Sequence, residues 1–359
     1  MLALLASVLM QAPQESPGFW ERERLLQPPE MQGVTFTLAY TVEVISNVHG
    51  GVKRDTGIDQ LMDGVIDADL QKALGWAGGS ARINPMWLAG DGVTGDVGDL
   101  TLVSNITGRG EIRLFEAWLQ QSVGKLCSFR VGILAADQEF MLTTGGTLYF
   151  NSVFGGPVFL TPNVAWPMYP VGAPGARARI DLVDGLYVHG AVYDGHPGTE
   201  DFNQTGLRIR LSDAEGLFTI GEAGWTWGTG TIKAGGFHHT AGPGISGGYG
   251  LVEQQLMDGL DAFVRVGTSD KTRSLVYLGI DAGLNLTGPI PGRPEDVLGF
   301  GAITARLSRG HETVFELTYR IRIARWGSLQ PDVQYVLHPG GSTATPNAVV
   351  VGFRIDLLF

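Results

Sequence analysis

The chain has 359 residues, of which 44% are hydrophobic and only 17% charged, so it can bury or present a large apolar surface. Its net charge of −11 excludes a nucleic-acid partner, which needs basic patches. A lone Cys127 excludes an internal disulfide or a cysteine metal cluster, and no run of about 18 apolar residues marks a membrane helix.

In chain order, residues 1–12 open on the apolar stretch MLALLASVLM, which has the length of a signal-peptide h-region but lacks a basic n-region. Export is expected, with no clean cleavage site. Residues 13–32 form an N-terminal segment with a short helix over 18–26, stopped by Pro28 and Pro29. From residue 33 the period changes to two. Val34, Phe36, Leu38, Tyr40, Val42 and Val44 alternate with Thr35, Thr37, Ala39, Thr41 and Glu43. Asp63, Asp67 and Asp69 then share one strand face opposite Met62, Ile66 and Ala68, and three carboxylates on one face require water or partners.

Further strands are expected at 80–90, 111–121, 125–136, 175–183, 186–194, 217–227, 231–240, 248–257, 260–267, 275–286, 297–308, 312–324 and 329–338, many joined by tight turns such as Asp184 with Gly185. The last strand, VVVGFRIDLLF, places Val349, Val351, Phe353, Ile355, Leu357 and Phe359 on one face and Gly352, Arg354 and Asp356 on the other. Ten or so alternating residues suit a tilted β-crossing of a bilayer, and a terminal aromatic is characteristic of outer-membrane barrels. Counting 202–211 would make seventeen strands; a single-chain barrel needs an even number, so that stretch is assigned to a loop and sixteen remain. Residues 33–359 thus read as one all-β domain, a transmembrane antiparallel barrel.

The stretch 137–174 is too long and too aromatic for a solvated tether, with Phe154, Phe159, Trp166 and Tyr169, and is expected to fold inward and narrow the lumen. Familiar motifs fail in context. Residues 242–247 spell G-x-G-x-x-G without a βαβ setting, His311-Glu312 lacks the second histidine of a zinc site, and His238 and His239 point to opposite strand faces. No nucleophile–base constellation is present, so neither a cofactor nor catalysis is expected. What recurs is charge of both signs on the polar faces: Glu116 with Trp118, Arg130, Arg177 with Arg179, Asp261 with Arg265, and Glu316 with Arg320. Such groups offer fixed donors and acceptors to sugar hydroxyls.

The strings GFWERERLL (18–26), TFTLAYTVEVISNVHGGVKR (35–54), LFEAWLQQS (114–122), RVGILAADQEF (130–140), LYFNSVFGGP (148–157), YPVGAPGARARI (169–180) and LQPDVQYVLHPGG (329–341) run colinearly through the chain. In these it resembles the carbohydrate-selective porins of Gram-negative outer membranes, the OprB type, although the segment before the first strand is shorter than is usual there. The resemblance implies a sixteen-stranded barrel passing mono- or oligosaccharides; the expected partners are these solutes and outer-membrane lipid, with monomer and homotrimer both left open. Strand parity and the resemblance together nominate Glu116, Trp118, Arg130, Arg177 and Arg179, with Asp137, Glu139, Trp166 and Tyr169 from the inward loop, as the solute path. The alternatives are a general porin with a weak preference for anions and, more distantly, a hydrolase on a β scaffold.

Overall fold

A computed structural model describes residues 30–198, 203–209 and 214–359. The expected signal remnant and the helix over 18–26 lie outside the described residues.

Sixteen strands follow one another: β1 Val34–His49, β2 Asp55–Asp69, β3 Gly79–Gly90, β4 Gly108–Val123, β5 Cys127–Leu134, β6 Ala173–Val183, β7 Leu186–Asp194, β8 Leu217–Trp227, β9 Gly230–His239, β10 Ile245–Met257, β11 Leu260–Ser269, β12 Val276–Thr287, β13 Val297–Leu307, β14 His311–Ala324, β15 Gly327–Leu337 and β16 Ala348–Leu358. Each pairs antiparallel with the next, and β16 closes on β1 with Arg354 opposite Glu43. Closure leaves no barrel strand with an unpaired edge. A two-residue ladder, Glu30–Met31, folds back on the start of β1. The stretch assigned to a loop, 202–211, contains no strand in its described part, 203–209.

The faces are inverted relative to a water-soluble protein. On β16, Val351 and Phe353 are exposed while Val350, Gly352 and Arg354 are buried. Phe36 and Leu38 on β1, Phe129 and Val131 on β5, and Phe315 and Leu317 on β14 likewise face outward, and Glu43, Arg130 and Glu316 inward. An outer wall of Phe, Val and Leu around an ionic interior is stable only with hydrocarbon outside. The start of β1 and the end of β16 lie on one rim, where β3–β16 are joined mostly by two- or three-residue turns (124–126, 184–185, 228–229, 258–259, 325–326). The longest connections, 91–107, 135–172 and 195–216, leave the opposite rim.

One expectation fails on β4. Plain alternation puts Phe115 outward with Ala117 and Leu119, yet it is only 3% exposed and points inward beside Glu116. Asn84 pairs with Glu116 but Pro85 pairs with Leu114, so Phe115 is the extra residue of a bulge. Proline has no N–H to give the ladder, and the bulge forms where that donor is missing. Strand parity reverses across it: Arg113 faces inward before it, Glu116 and Trp118 after it.

Candidate functional site

Backbone that enters a barrel has no ladder of its own, so its N–H and C=O groups must find side chains. The connection 135–172 finds them on the inward faces of the wall. Carboxylates accept from its amides: Glu116 from Ala135 N at 3.1 Å, Glu222 from Met141 N at 2.9 Å, Glu253 from Gly145 N at 3.1 Å and Glu316 from Asn151 N at 3.2 Å. Donors reach its carbonyls: Lys233 to Leu142 O and Arg265 to Met141 O, both at 2.7 Å, Asn285 to Gly145 O at 2.9 Å and Gln330 to Leu148 O at 2.7 Å. These anchors come from β4, β8–β12, β14 and β15, so the connection is held from around the barrel rather than from one side.

Its rings then need room. Tyr149 stacks on Phe154 at 4.3 Å and donates to Asn285 Oδ1 at 2.8 Å. Both rings lie against Gly301, where an added Cβ would stand 2.6 Å from Phe154 and 2.8 Å from Tyr149. Gly267 gives way to Phe159 in the same manner. At these two inward positions glycine is required by close approach, not by a turn.

The connection 91–107 is held by the same chemistry. Glu312 accepts from Leu100 N at 2.9 Å and Thr101 N at 3.1 Å, Gln334 donates to Val103 O at 2.7 Å, and Arg354 donates to Asn105 Oδ1 at 2.8 Å. Val93, Val97 and Val103 are buried with Tyr149, Val153 and Phe154 in one apolar cluster joining the two connections.

Between these connections and the inner wall of β1–β4 lies a cavity of about 570 Å³. Asp63, Arg82, Asn84 and Glu116 line it from the wall, and Ser104, Asn105, Asp137, Gln138 and Tyr169 from the connections. Asn84 donates to Asp63 Oδ1 at 2.5 Å, and Arg82 lies bidentate on Asp67 at 2.7 and 3.0 Å. An apolar strip of Leu61, Met86, Phe115 and Tyr169 adjoins these polar groups, with Tyr169 meeting Phe115 edge-on at 5.6 Å. Burial pushes the Asp137 carboxyl up to about 7; the Tyr169 N–H, donating at 2.9 Å, opposes this only in part, and the nearby Glu116 charge adds to it.

The nine nominated residues fall into three groups. Glu116, Asp137 and Tyr169 line the cavity. Trp118, Arg130, Glu139 and Arg177 form a buried knot that is not part of its lining. Glu139 receives Arg130 Nη1 at 3.0 Å and Arg177 Nε, Gln120 receives both guanidinium groups at 3.0 and 2.9 Å, and Arg130 stacks 3.8 Å over Trp118. Trp166 sits against Phe218 in an apolar cluster, while Arg179 pairs with Asp181 at 2.9 Å over the Tyr187 ring; neither lines the cavity. Sequence reasoning missed Arg82, Asn84, Gln138 and the whole 91–107 connection. Asp63 was already marked by its parity with Asp67, and the same parity rule applied to 80–90 would have turned Arg82 and Asn84 inward.

A family model described as carbohydrate-selective porin, OprB family, matches residues 54–242 and 241–359. The chain is 24% identical to Porin B of Pseudomonas aeruginosa over 419 aligned positions, covering 95% of this chain and 90% of that one. It is also 24% identical to the putative porin QuiX of Acinetobacter baylyi, covering 95% and 92%. The high-pH structure of Pseudomonas putida OprB superposes with a TM-score of 0.85 at 20% identity, covering 91% of this chain and 94% of that one. The low-pH structure of the same protein gives 0.65, covering 97% and 99%.

Proposed function

The chain belongs to the OprB family of carbohydrate-selective porins and is an integral β-barrel of the outer membrane; on that premise we propose that sugars cross it by passive diffusion through the cavity between the β1–β4 wall and the connections 91–107 and 135–172. The observation that carries this reading is the pairing of surfaces in that cavity. Carboxylates, an amide and a guanidinium offer acceptors and donors to hydroxyl groups, while Met86, Phe115 and Tyr169 offer an apolar strip to the C–H face of a pyranose. A channel is favoured over an enzyme by the family and the barrel, and its contacts need only attract a sugar and then release it. The connection 135–172 acts as the constriction because it is tied to the inner wall on many strands.

Liposome swelling with refolded protein tests this across a size series of sugars against size-matched polyols. Faster entry of particular sugars than of their controls is the expected result; entry ordered by size alone would reduce the protein to a general porin. The cavity lining and the arginine knot are separable by mutation. Glu116→Ala and Asn84→Ala should change which sugars enter fastest. Arg130→Ala and Arg177→Ala should instead raise single-channel conductance with the sugar order kept, because both guanidinium groups are spent on Glu139 and Gln120. The opposite pattern would move the selective contacts to the arginine knot.

A further inference from the structure

We propose that the same cavity holds a cation subsite, which admits ammonium-bearing polyols such as amino sugars, and alkali cations, ahead of anions of equal size. The inference rests on the porin reading and narrows it.

Four carboxylates line the cavity, Asp63, Asp91, Glu116 and Asp137, against one guanidinium, Arg82. The Arg82 charge is already laid on Asp67 by two hydrogen bonds. The donors that reach Asp63 and Glu116 in the structure are the Asn84 amide and the Ala135 N–H, which satisfy oxygen lone pairs without cancelling charge. Beside the cavity, inside the barrel, Arg130 and Arg177 exceed Glu139 by a single charge, too little to reverse the sign.

An independent observation points to a ligand. Asp137 is 6% exposed and lines the cavity; its Oδ2 takes the Tyr169 N–H, but its Oδ1 is buried with no hydrogen-bond partner. A buried carboxylate oxygen without a donor is costly, and a solute N–H in the cavity would supply one. Low-dielectric walls focus the field of such groups into the opening. The groups facing Asp137 across the cavity are Glu116 from β4, Asp63 from β2, Arg82 from β3 and Asp91 from the neighbouring connection. Because burial raises the Asp137 carboxyl to about 7, its charge develops as pH rises through that value, and cation preference should strengthen between pH 6 and 8.

The test pairs two measurements on the whole barrel: reversal potential in a planar bilayer under a KCl gradient at low ionic strength, and liposome swelling with glucosamine, glucose and glucuronate. The expected result is potassium over chloride by more than about threefold, with glucosamine entering faster than glucuronate by a similar factor. Asp137→Asn, which keeps an acceptor for the Tyr169 N–H, and Asp63→Asn, which changes the wall rather than the connection, should each bring both ratios toward unity. If glucose enters normally but the ratios are at or below one, or both variants leave them unchanged, the subsite is overturned and the pore stands. If no solute enters through folded, inserted protein, the porin reading fails and the subsite with it.

Discussion

Replacing Arg265 by methionine should raise single-channel conductance severalfold and make the open state noisy, while the barrel still assembles. Arg265 is fully buried on β11, and four of its contacts converge on one task. Its Nε meets Asp281 Oδ2 at 3.0 Å, Nη1 donates to Met141 O at 2.7 Å, and Nη2 donates to Val153 O and to Phe154 O at 3.3 Å. One guanidinium therefore holds two separate points of the connection 135–172. Methionine fills much of the space but supplies no donor, so three carbonyls lose theirs. It also strands the Asp281 carboxylate, whose Oδ1 already has no partner, and breaking a buried pair in this way costs about 3–5 kcal/mol. The backbone ladder between β11 and its neighbours involves no part of this side chain, so the loss falls on the connection and not on the wall. The double variant Arg265→Met with Asp281→Leu should recover much of the thermal stability and none of the loop anchoring. Wild-type conductance in the single variant would show that the connection does not depend on this anchor.

Arg354→Leu should produce the largest loss of stability of any single inward substitution at the closing seam. Here β16 meets β1, and Glu43, with none of its surface exposed, takes Arg354 Nε at 2.9 Å and Nη2 on one oxygen. The same guanidinium donates to Asn105 and lies 3.9 Å over the Phe150 ring, so the pair that joins the two ends of the barrel also touches both inward connections. Removing it leaves an isolated carboxylate in the wall, at a cost of about 3–5 kcal/mol. The check is heat-modifiable migration in detergent gels: the folded band of the variant should be lost at a clearly lower temperature than that of the parent. Glu43→Leu combined with Arg354→Leu should restore most of the difference, since two apolar side chains of similar volume leave no stranded charge. An unchanged transition in the single variant would mean that the seam is held by its ladder alone.

The barrel was legible from strand periodicity and an even strand count. Side-chain direction in a strand alternates residue by residue, so Phe353 outside and Arg354 inside follow from nothing but their order, and the same local rule marked the sixteen strands, while the even count of a single-chain barrel set 202–211 aside as a loop. The rule broke where an unannounced residue entered the ladder, as Phe115 does opposite Pro85, because a bulge is decided by the partner strand. The site was legible only in part for the same reason. Parity could say that Arg130 and Arg177 face the lumen, but not that Glu139 would meet both in a knot apart from the cavity, nor that Asp63 and Asp137, from a wall strand and a connection, would line one cavity with Arg82 and Asn84. Gly267 and Gly301 read as ordinary β-chain glycines until Phe159, Tyr149 and Phe154 are seen pressed against them. Those contacts join residues more than a hundred positions apart across the lumen. Local periodicity carries no information about such pairs; only the closed barrel, which brings one wall and two connections into the same space, selects them.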